Sequence, residues 1–283
     1  MAGPIDLHTH SSVSDGTETP AELVAAAKDA GLSAIALTDH DSTAGWLQAF
    51  EAADGTGLAV IPGMELSTRL AGRSVHLLAY LFDPTNVPLA TEMARIRESR
   101  MHRAEDITKR IAADYPLTWP DVLAQATVGA TLGRPHIADA LVALGIVDDR
   151  SAAFSGILHA RSGYFQAHYA PTPLEAVRLV RAAGGVPVLA HPGTRGSENV
   201  ITEDQLALLV DAGLFGLEIH HRENTESGRA RLYELAERFQ LAITGSSDYH
   251  GAGKPNRLAE NVTAPEVLDG IIAAGTGSAP FYG

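Results

Sequence analysis

Apolar runs of strand length recur along this 283-residue chain, and six of them lead into histidine or carboxylate at their ends. They are Ile5-Asp6-Leu7-His8-Thr9-His10, Ala34 to Asp41, Leu58 to Glu65, Gly185 to Pro192, Gly216 to His221, and Leu241 to Gly251. A seventh, Ser74 to Tyr80, carries His76 near its start. Helical patterns separate most of these runs, at Thr19–Gly31, Thr43–Ala53, Pro173–Ala183, Thr202–Gly213 and Thr225–Phe239. The first is the most explicit: Thr19 as N-cap, Pro20 at the first helical position, Glu22 three residues after the cap, and Gly31 as the stop. Strands alternating with helices predict a parallel sheet or barrel, and polar residues gathered at strand ends predict the active face of an α/β barrel.

The alternation breaks between residues 88 and 169. Residues 88–113 read as one long amphipathic helix, with further helical segments at 119–127 and 134–144 and no strand. The expected organisation is therefore a barrel made of residues 1–87 and 170–283, interrupted by a helical insertion at 88–169. Arg95, Arg97, Arg100, Arg103, Lys109 and Arg110 on the long helix read as a solvated face.

Composition removes several functions. The formal net charge of −13 argues against a broad basic surface for duplex nucleic acid, which is gripped through many Lys/Arg–phosphate contacts. A small anionic substrate stays open, since bound divalent cations invert the local field. Zero cysteines exclude disulfides, thiolate metal sites and a Cys nucleophile, so any metal must be held by His, Asp and Glu. No apolar run approaches the ~20 residues that span a bilayer, and the start at Met1 to Pro4 has no basic leader region. A protein of the cytoplasm without a membrane partner is expected, and the oligomeric state is not readable.

Side chains two apart share one face of a strand, so His8 and His10 form a potential metal clamp. Asp15, Asp39-His40-Asp41, Glu65, His76, His191, Asp248 and His250 supply further ligand types at successive strands. Buried charge on this scale calls for pairing or a metal. No GxSxG or P-loop pattern points to a Ser nucleophile or a phosphate-cradling loop. His102, His159 and His168 lack ligand-spaced companions and read as surface or packing residues.

On these segments, together with Ser14-Asp15-Gly16, Pro62-Gly63-Met64-Glu65, Leu189-Ala190-His191-Pro192 and Ser247-Asp248-Tyr249-His250-Gly251, the chain resembles the PHP (polymerase and histidinol phosphatase) family of metal-dependent phosphoesterases. The resemblance implies a distorted (β/α)7 TIM-like barrel with two to three divalent metals at the C-terminal face. Manganese is the first expectation, with iron or zinc also suited to such ligands. Carried over, His8, His10, Glu65 and Asp248 would hold one ion; Glu65 would bridge to a second with His76 and His191; Asp15, His40 and His250 would hold a third. Asp39 and Asp41 either orient imidazoles or serve the strand-end turn.

Gly133-Arg134-Pro135-His136 resembles a segment of the PHP subgroup acting on nucleoside 3',5'-bisphosphates and short RNA 5' ends. Arg134 offers a planar fork for phosphate and His136 an adjustable donor, both near a helix start. The strand end Glu218 to Asn224 turns one of His220 and His221 inward, with His221 favoured as a phosphate or leaving-group contact; Arg222 and Asn224 are further substrate candidates that depart from the family's pattern. Glu65, Asp248, His221 and Arg134 are the expected catalytic set. The expected reaction is hydrolysis of a phosphomonoester, first the 3'-phosphate of a nucleoside 3',5'-bisphosphate. The alternatives are 5'→3' degradation of short 5'-phosphorylated RNA, histidinol phosphate hydrolysis, and a non-catalytic metal-binding module.

Overall fold

The computed structural model describes residues 3–194, 196 and 200–283. Met1 and Ala2, part of the start that reads as leader-free, lie outside the described residues. The first half of the barrel comprises β1 (Ile5–Thr9), α1 (Pro20–Asp29), β2 (Ala34–Leu37), α2 (Trp46–Ala53), β3 (Ala59–Leu70) and β4 (Arg73–Tyr80). Then come α3 (Val87–Ile111), α4 (Trp119–Leu123), α5 (Arg134–Ala143) and α6 (Arg150–Ser155). The second half comprises α7 (Pro173–Ala182), β5 (Val186–Ala190), α8 (Glu203–Asp211), β6 (Gly216–His220), α9 (Glu226–Phe239), β7 (Ala242–Gly245), α10 (Pro265–Ala274) and β8 (Phe281–Tyr282). No helix among the described residues is long and apolar enough to cross a membrane.

Helix starts follow local chemistry. Thr19 accepts from the Glu22 amide at 3.2 Å while Glu22 accepts from the Thr19 amide at 2.8 Å, so both exposed donors are satisfied. Thr172 with Glu175 and Thr202 with Gln205 repeat the device at α7 and α8.

The seven main strands are ordered β1 to β7 in sequence. The pairs β1–β2, β2–β3, β5–β6 and β6–β7 are parallel. β4 is antiparallel to both β3 and β5, a departure from the parallel alternation. Its cause is local: Leu70 pairs with Arg73, leaving only Ala71 and Gly72 as the turn, with φ of 48° and 80°. Two left-handed residues make the tight hairpin turn that matches strand twist, and two residues are far too few for a crossover. β3 also runs beyond the expected end at Glu65, pairing with β2 through Pro62 and then with β4 from Gly63. Glu65 consequently sits within a strand rather than at its tip.

The ring closes where Thr9 bridges Tyr249 and the His10 amide donates to the Tyr249 carbonyl at 2.8 Å. One apolar cluster joins the strands to α1, α2, α3, α7, α8 and α9, through residues such as Leu23, Ile35, Leu77, Val177 and Leu217. Another joins Ile5, Leu7, Ile61, Tyr80 and Val188 to Leu268 and Ile271 of α10. The segment between β4 and β5 has its own cluster, with Ile107, Ile111, Val122, Ile137 and Leu141 at its centre. The apolar strands thus act as a rigid base from which polar residues project.

Candidate metal centre and substrate cleft

Backbone turns just after the strands collect the histidines and carboxylates. His10 follows β1, His40 follows β2, His191 follows β5, His221 follows β6, and Asp248 and His250 follow β7. Left-handed backbone at Asp41, His191 and Asp248 (φ 52°, 33° and 54°) turns the chain sharply there, a conformation that side-chain-bearing residues adopt mainly where the surroundings hold it. Glu65 and His76 reach the same place from the β3–β4 hairpin, and Glu65 Oε1 lies 2.7 Å from His76 Nδ1 and 3.1 Å from His191 Nε2.

Nine residues expected as ligands converge. The Nε2 atoms of His8 and His10 are 3.1 Å apart, and both face Glu65 Oε2 and Asp248 Oδ1 at 3.3–3.4 Å. Two imidazole nitrogens and two carboxylate oxygens so placed can surround one cation. Separations near 3.3 Å are also the edge of a tetrahedron about an ion bonded at ~2.0–2.1 Å. Three further groups could hold an ion: His10 with Asp15 and His250, His40 with Glu65 and His76, and His8 with His191 and Glu218. The first expected set is gathered intact. In the other two, His76 and His191 both meet Glu65 Oε1, and Asp15 faces His250 at 3.2 Å and His40 at 3.7 Å, with His40 also grouped with Glu65 and His76, and His10 with Asp15 and His250.

Ring tautomers fit this reading. His8 Nδ1 lies 3.0 Å from Glu218 Oε1, and His250 Nδ1 lies 2.8 Å from the Asp248 carbonyl. Each Nδ1 therefore donates, which leaves each Nε2 lone pair facing the centre. His40 Nδ1 and His250 Nε2 are buried with no hydrogen-bond partner. Burial pushes Glu65 up, but His76, His40 and His8 more than offset it and hold this carboxyl well below the usual range. Asp248 is likewise held low against its burial by Lys254 and His250, and Asp15 by His250 and His40. All three remain anionic, as cation ligands must.

Glu218 is a site residue to which the sequence assigns no role. It is fully buried, accepts from His8 Nδ1 and accepts from the His191 amide at 2.9 Å, and neighbouring His8 helps bring it to about 2 despite burial. Among the described residues neither Asp39 nor Asp41 is bonded directly to an imidazole, though Ser14, which donates to Asp39, lies 3.4 Å from His10 Nδ1. Asp39 binds the Ser11 amide and the Ser11 and Ser14 hydroxyls, and Asp41 binds the Ser67 amide and hydroxyl and Arg100. They organise the loops around the centre instead.

A cavity of about 850 Å³ opens from Asp15, His40 and His76. Its remaining wall carries Arg69, Arg73, Arg100, Arg103, Arg134, Arg161 and Lys254, together with Phe154 and Phe165. The basic face of α3 is therefore not uniformly solvated: Lys109 and Arg110 are exposed, but Arg100 is buried and Arg103 half-buried along the cleft. Arg103 donates to the Gln166 carbonyl at 2.8 Å and to His168 at 3.0 Å. The guanidinium of Arg134 lies over Phe154 and Phe165 at 5.2 and 5.5 Å. Among the described residues, neither Arg103 nor Arg134 has a carboxylate partner. Burial and the neighbouring Arg134, Arg100 and Arg69 bring Arg103 down to about 9. His159 and His168, expected on the surface or in packing, line this cleft.

The other substrate candidates lie apart from it. Residues two apart on a helix point to opposite sides, so His136 faces away from Arg134 into a separate cavity of about 480 Å³, its Nδ1 accepting from the Gly133 amide. Arg222 is bound through two nitrogens by Glu260. Asn224 donates to the Glu218 and Ile219 carbonyls and accepts from the Gly193 amide. His220 points outward to Tyr233, whereas His221 is buried, its Nε2 3.5 Å from Asp248 Oδ2.

A PHP domain model matches residues 6–113. A 5'-3' exoribonuclease of Haemophilus influenzae is 32% identical over 96% of this chain and 98% of its own length. A 3',5'-nucleoside bisphosphate phosphatase of Chromobacterium violaceum is 30% identical over 89% of each chain. A phosphoribosyl 1,2-cyclic phosphate 1,2-diphosphodiesterase of Eggerthella lenta is 32% identical over 87% of this chain and 94% of its own. A crystal structure from Bifidobacterium adolescentis, assigned as a metal-dependent phosphoesterase, is 42% identical with a TM-score of 0.94 over 98% of each chain. These relatives share a hydrolytic chemistry on phosphate esters, and the clustered ligands beside a cationic cleft are what that chemistry needs: the chain belongs to the PHP family and is a metal-dependent phosphoesterase.

Proposed function

We propose that this enzyme removes the 3'-phosphate of a nucleoside 3',5'-bisphosphate, leaving the nucleoside 5'-monophosphate. The observation that carries this reading is the arginine-lined cavity beside the ligand cluster, where the half-buried guanidiniums of Arg103 and Arg134 have no carboxylate partner among the described residues. Charged groups are seldom buried unpaired, so the partner of such a wall is a ligand carrying more than one negative charge. One phosphate lies against the His/carboxylate cluster and a second on the arginines.

Two to three divalent ions, manganese first, are assigned to His8, His10, Asp15, His40, Glu65, His76, His191, Asp248 and His250. Bound there, they supply an acidified water and positive charge opposite the phosphoryl oxygens. Arg134 and Arg103 orient the distal phosphate with planes held by Phe154, Phe165 and His168. The Glu223 amide donates to His221 Nδ1 at 3.1 Å, so the proton of the neutral ring sits on Nε2. His221 thus presents a donor beside Asp248 for the leaving oxygen. Recognition is assigned to Arg134, Arg103 and His221, and not to His136, which opens on the separate cavity, Arg222, which is paired with Glu260, or Asn224, which is bonded to backbone.

A second reading, stepwise hydrolysis of short 5'-phosphorylated RNA, is favoured by the exoribonuclease relative that spans nearly the whole chain. A substrate panel separates the two. Purified enzyme is given Mn2+ or EDTA, then adenosine 3',5'-bisphosphate, a 5'-phosphorylated RNA oligomer, a ribose 1,2-cyclic phosphate or histidinol phosphate. Expected is metal-dependent phosphate release with adenosine 5'-monophosphate as the preferred product. Preference for the oligomer favours the second reading; no turnover of either nucleotide substrate refutes both.

A further inference from the structure

The segment between β4 and β5 grips the loop that carries Asp15. Thr127 donates its hydroxyl to the Ser12 carbonyl at 2.7 Å, the Thr131 amide donates to the Val13 carbonyl at 2.9 Å, and Arg150 Nη1 donates to the carbonyl of Asp15 itself at 3.0 Å. Arg150 is not free to swing. Its Nε and Nη2 are held by both carboxylate oxygens of Asp139 at 2.5 and 2.6 Å, a bidentate pairing that fixes the guanidinium plane. Asp139 belongs to α5, the helix that also begins with Arg134 at the cleft. On its other side the guanidinium lies against Gly253, where an added β-carbon would overlap Nη1. Gly253 is in the turn between His250 and Lys254, and Lys254 Nζ lies 2.7 Å from Asp248 Oδ2. One side chain therefore spans the two loops that deliver Asp15 and His250.

We propose that Arg150, held by Asp139, is a positioning residue for the ion site that Asp15 and His250 share. This inference rests on the metal-dependent reading of the site. Asp15 Oδ1 is 3.2 Å from His250 Nε2 and 3.6 Å from His10 Nδ1, and the Asp15 loop is short, so where its backbone is tethered sets where that carboxylate stands. Removal of Arg150 leaves every ligand present but unties Asp15 from α5. The His8, His10, Glu65 and Asp248 group, built on strands and held by Glu218, makes no contact with Arg150 and acts as an internal control.

The test is Mn2+ titration of metal-stripped full-length protein by calorimetry, with bound metal counted after gel filtration at fixed free Mn2+. Wild type, Arg150→Ala, Arg150→Lys, Gly253→Ala and Asp139→Asn are compared. Loss of an outer contact to a ligand weakens binding by ~10–100-fold, so Arg150→Ala is expected to weaken one class of site by that factor and to retain one equivalent fewer, with the tightest class unchanged. Gly253→Ala, which displaces the guanidinium without deleting it, should move the same class in the same direction, and Arg150→Lys should recover part of the loss. Stripped Arg150→Ala protein should melt within a few degrees of the stripped wild type. Wild-type affinity and stoichiometry in both Arg150→Ala and Gly253→Ala would overturn the proposal. So would equal weakening of every class together with a lowered melting point of the stripped protein, because that is the mark of a general structural role. Absence of tight Mn2+ binding by the wild type would instead overturn the metal assignment on which both proposals stand.

Discussion

Replacement of Glu218 by Gln changes one atom of a fully buried side chain, and the structure states what that does. Oε1 accepts from His8 Nδ1 and Oε2 accepts from the His191 amide, so both oxygens are used as acceptors by N–H donors. The amide of Gln has one acceptor and one donor. If its oxygen faces His8, its NH2 opposes the His191 amide, and a buried backbone donor left unpaired costs ~1–3 kcal/mol at the loop that presents His191. If its NH2 faces His8, the ring must accept at Nδ1 and carry its proton on Nε2, the nitrogen that faces Glu65 and Asp248. Either orientation disfavours the ion-binding geometry by an amount of that order, equivalent to roughly ten- to a hundredfold in affinity. The assay is Mn2+ titration beside steady-state hydrolysis of the bisphosphate at saturating metal. Expected is weaker binding by that factor, with activity partly restored at high Mn2+. A Glu218→Gln variant with wild-type affinity and turnover would refute the tautomer reasoning.

Glu65→Gln should lose metal-dependent hydrolysis by more than the ~10–100-fold of an outer-contact loss, because Glu65 oxygens approach His8, His10, His40, His76 and His191 within 3.4 Å; retained full activity counts against the shared-carboxylate centre. Arg134→Ala should raise KM for the bisphosphate by about tenfold or more with metal content unchanged, whereas an unchanged KM would remove Arg134 from recognition. Burial, Arg100 and Arg103 bring His168 from 6.5 to about 2. The unfolded chain therefore takes up a proton at His168 below pH 6.5 that the folded chain refuses, so this residue's contribution is present above that pH and lost as pH falls toward 2. The slope is at most ~1.4 kcal/mol per pH unit, and His168→Gln should flatten it in denaturant melts between pH 6.5 and 5.5; parallel curves for both proteins would contradict the buried neutral ring.

Much of the site was legible because a parallel strand has a direction. In βα units the residues just past a strand meet at one face, so His10, His40, His191, Asp248 and His250 could be gathered from spacing alone. The long helix, expected at 88–113 and found at Val87–Ile111, was readable for a similar reason, as apolar periodicity is a local property. The β4 reversal was harder, since Ala71-Gly72 is a weaker hairpin signal than Asn-Gly and only the positive φ at both positions reveals the turn.

What the sequence by itself determined is the set of candidate ligand types and the elements that carry them, both encoded within a few residues of each position. Only the tertiary structure decided which ligands group together, that Glu218 rather than Asp39 or Asp41 orients an imidazole, and that His136 turns away from Arg134. It also decided that Arg100 and Arg103 leave the solvated face their spacing implies. Those outcomes depend on contacts between segments far apart in the chain, such as Glu218 with His8 and Arg150 with Asp15. A carboxylate or guanidinium has the same local preferences whether it meets water, a metal ligand or a phosphate; packing alone selects its partner.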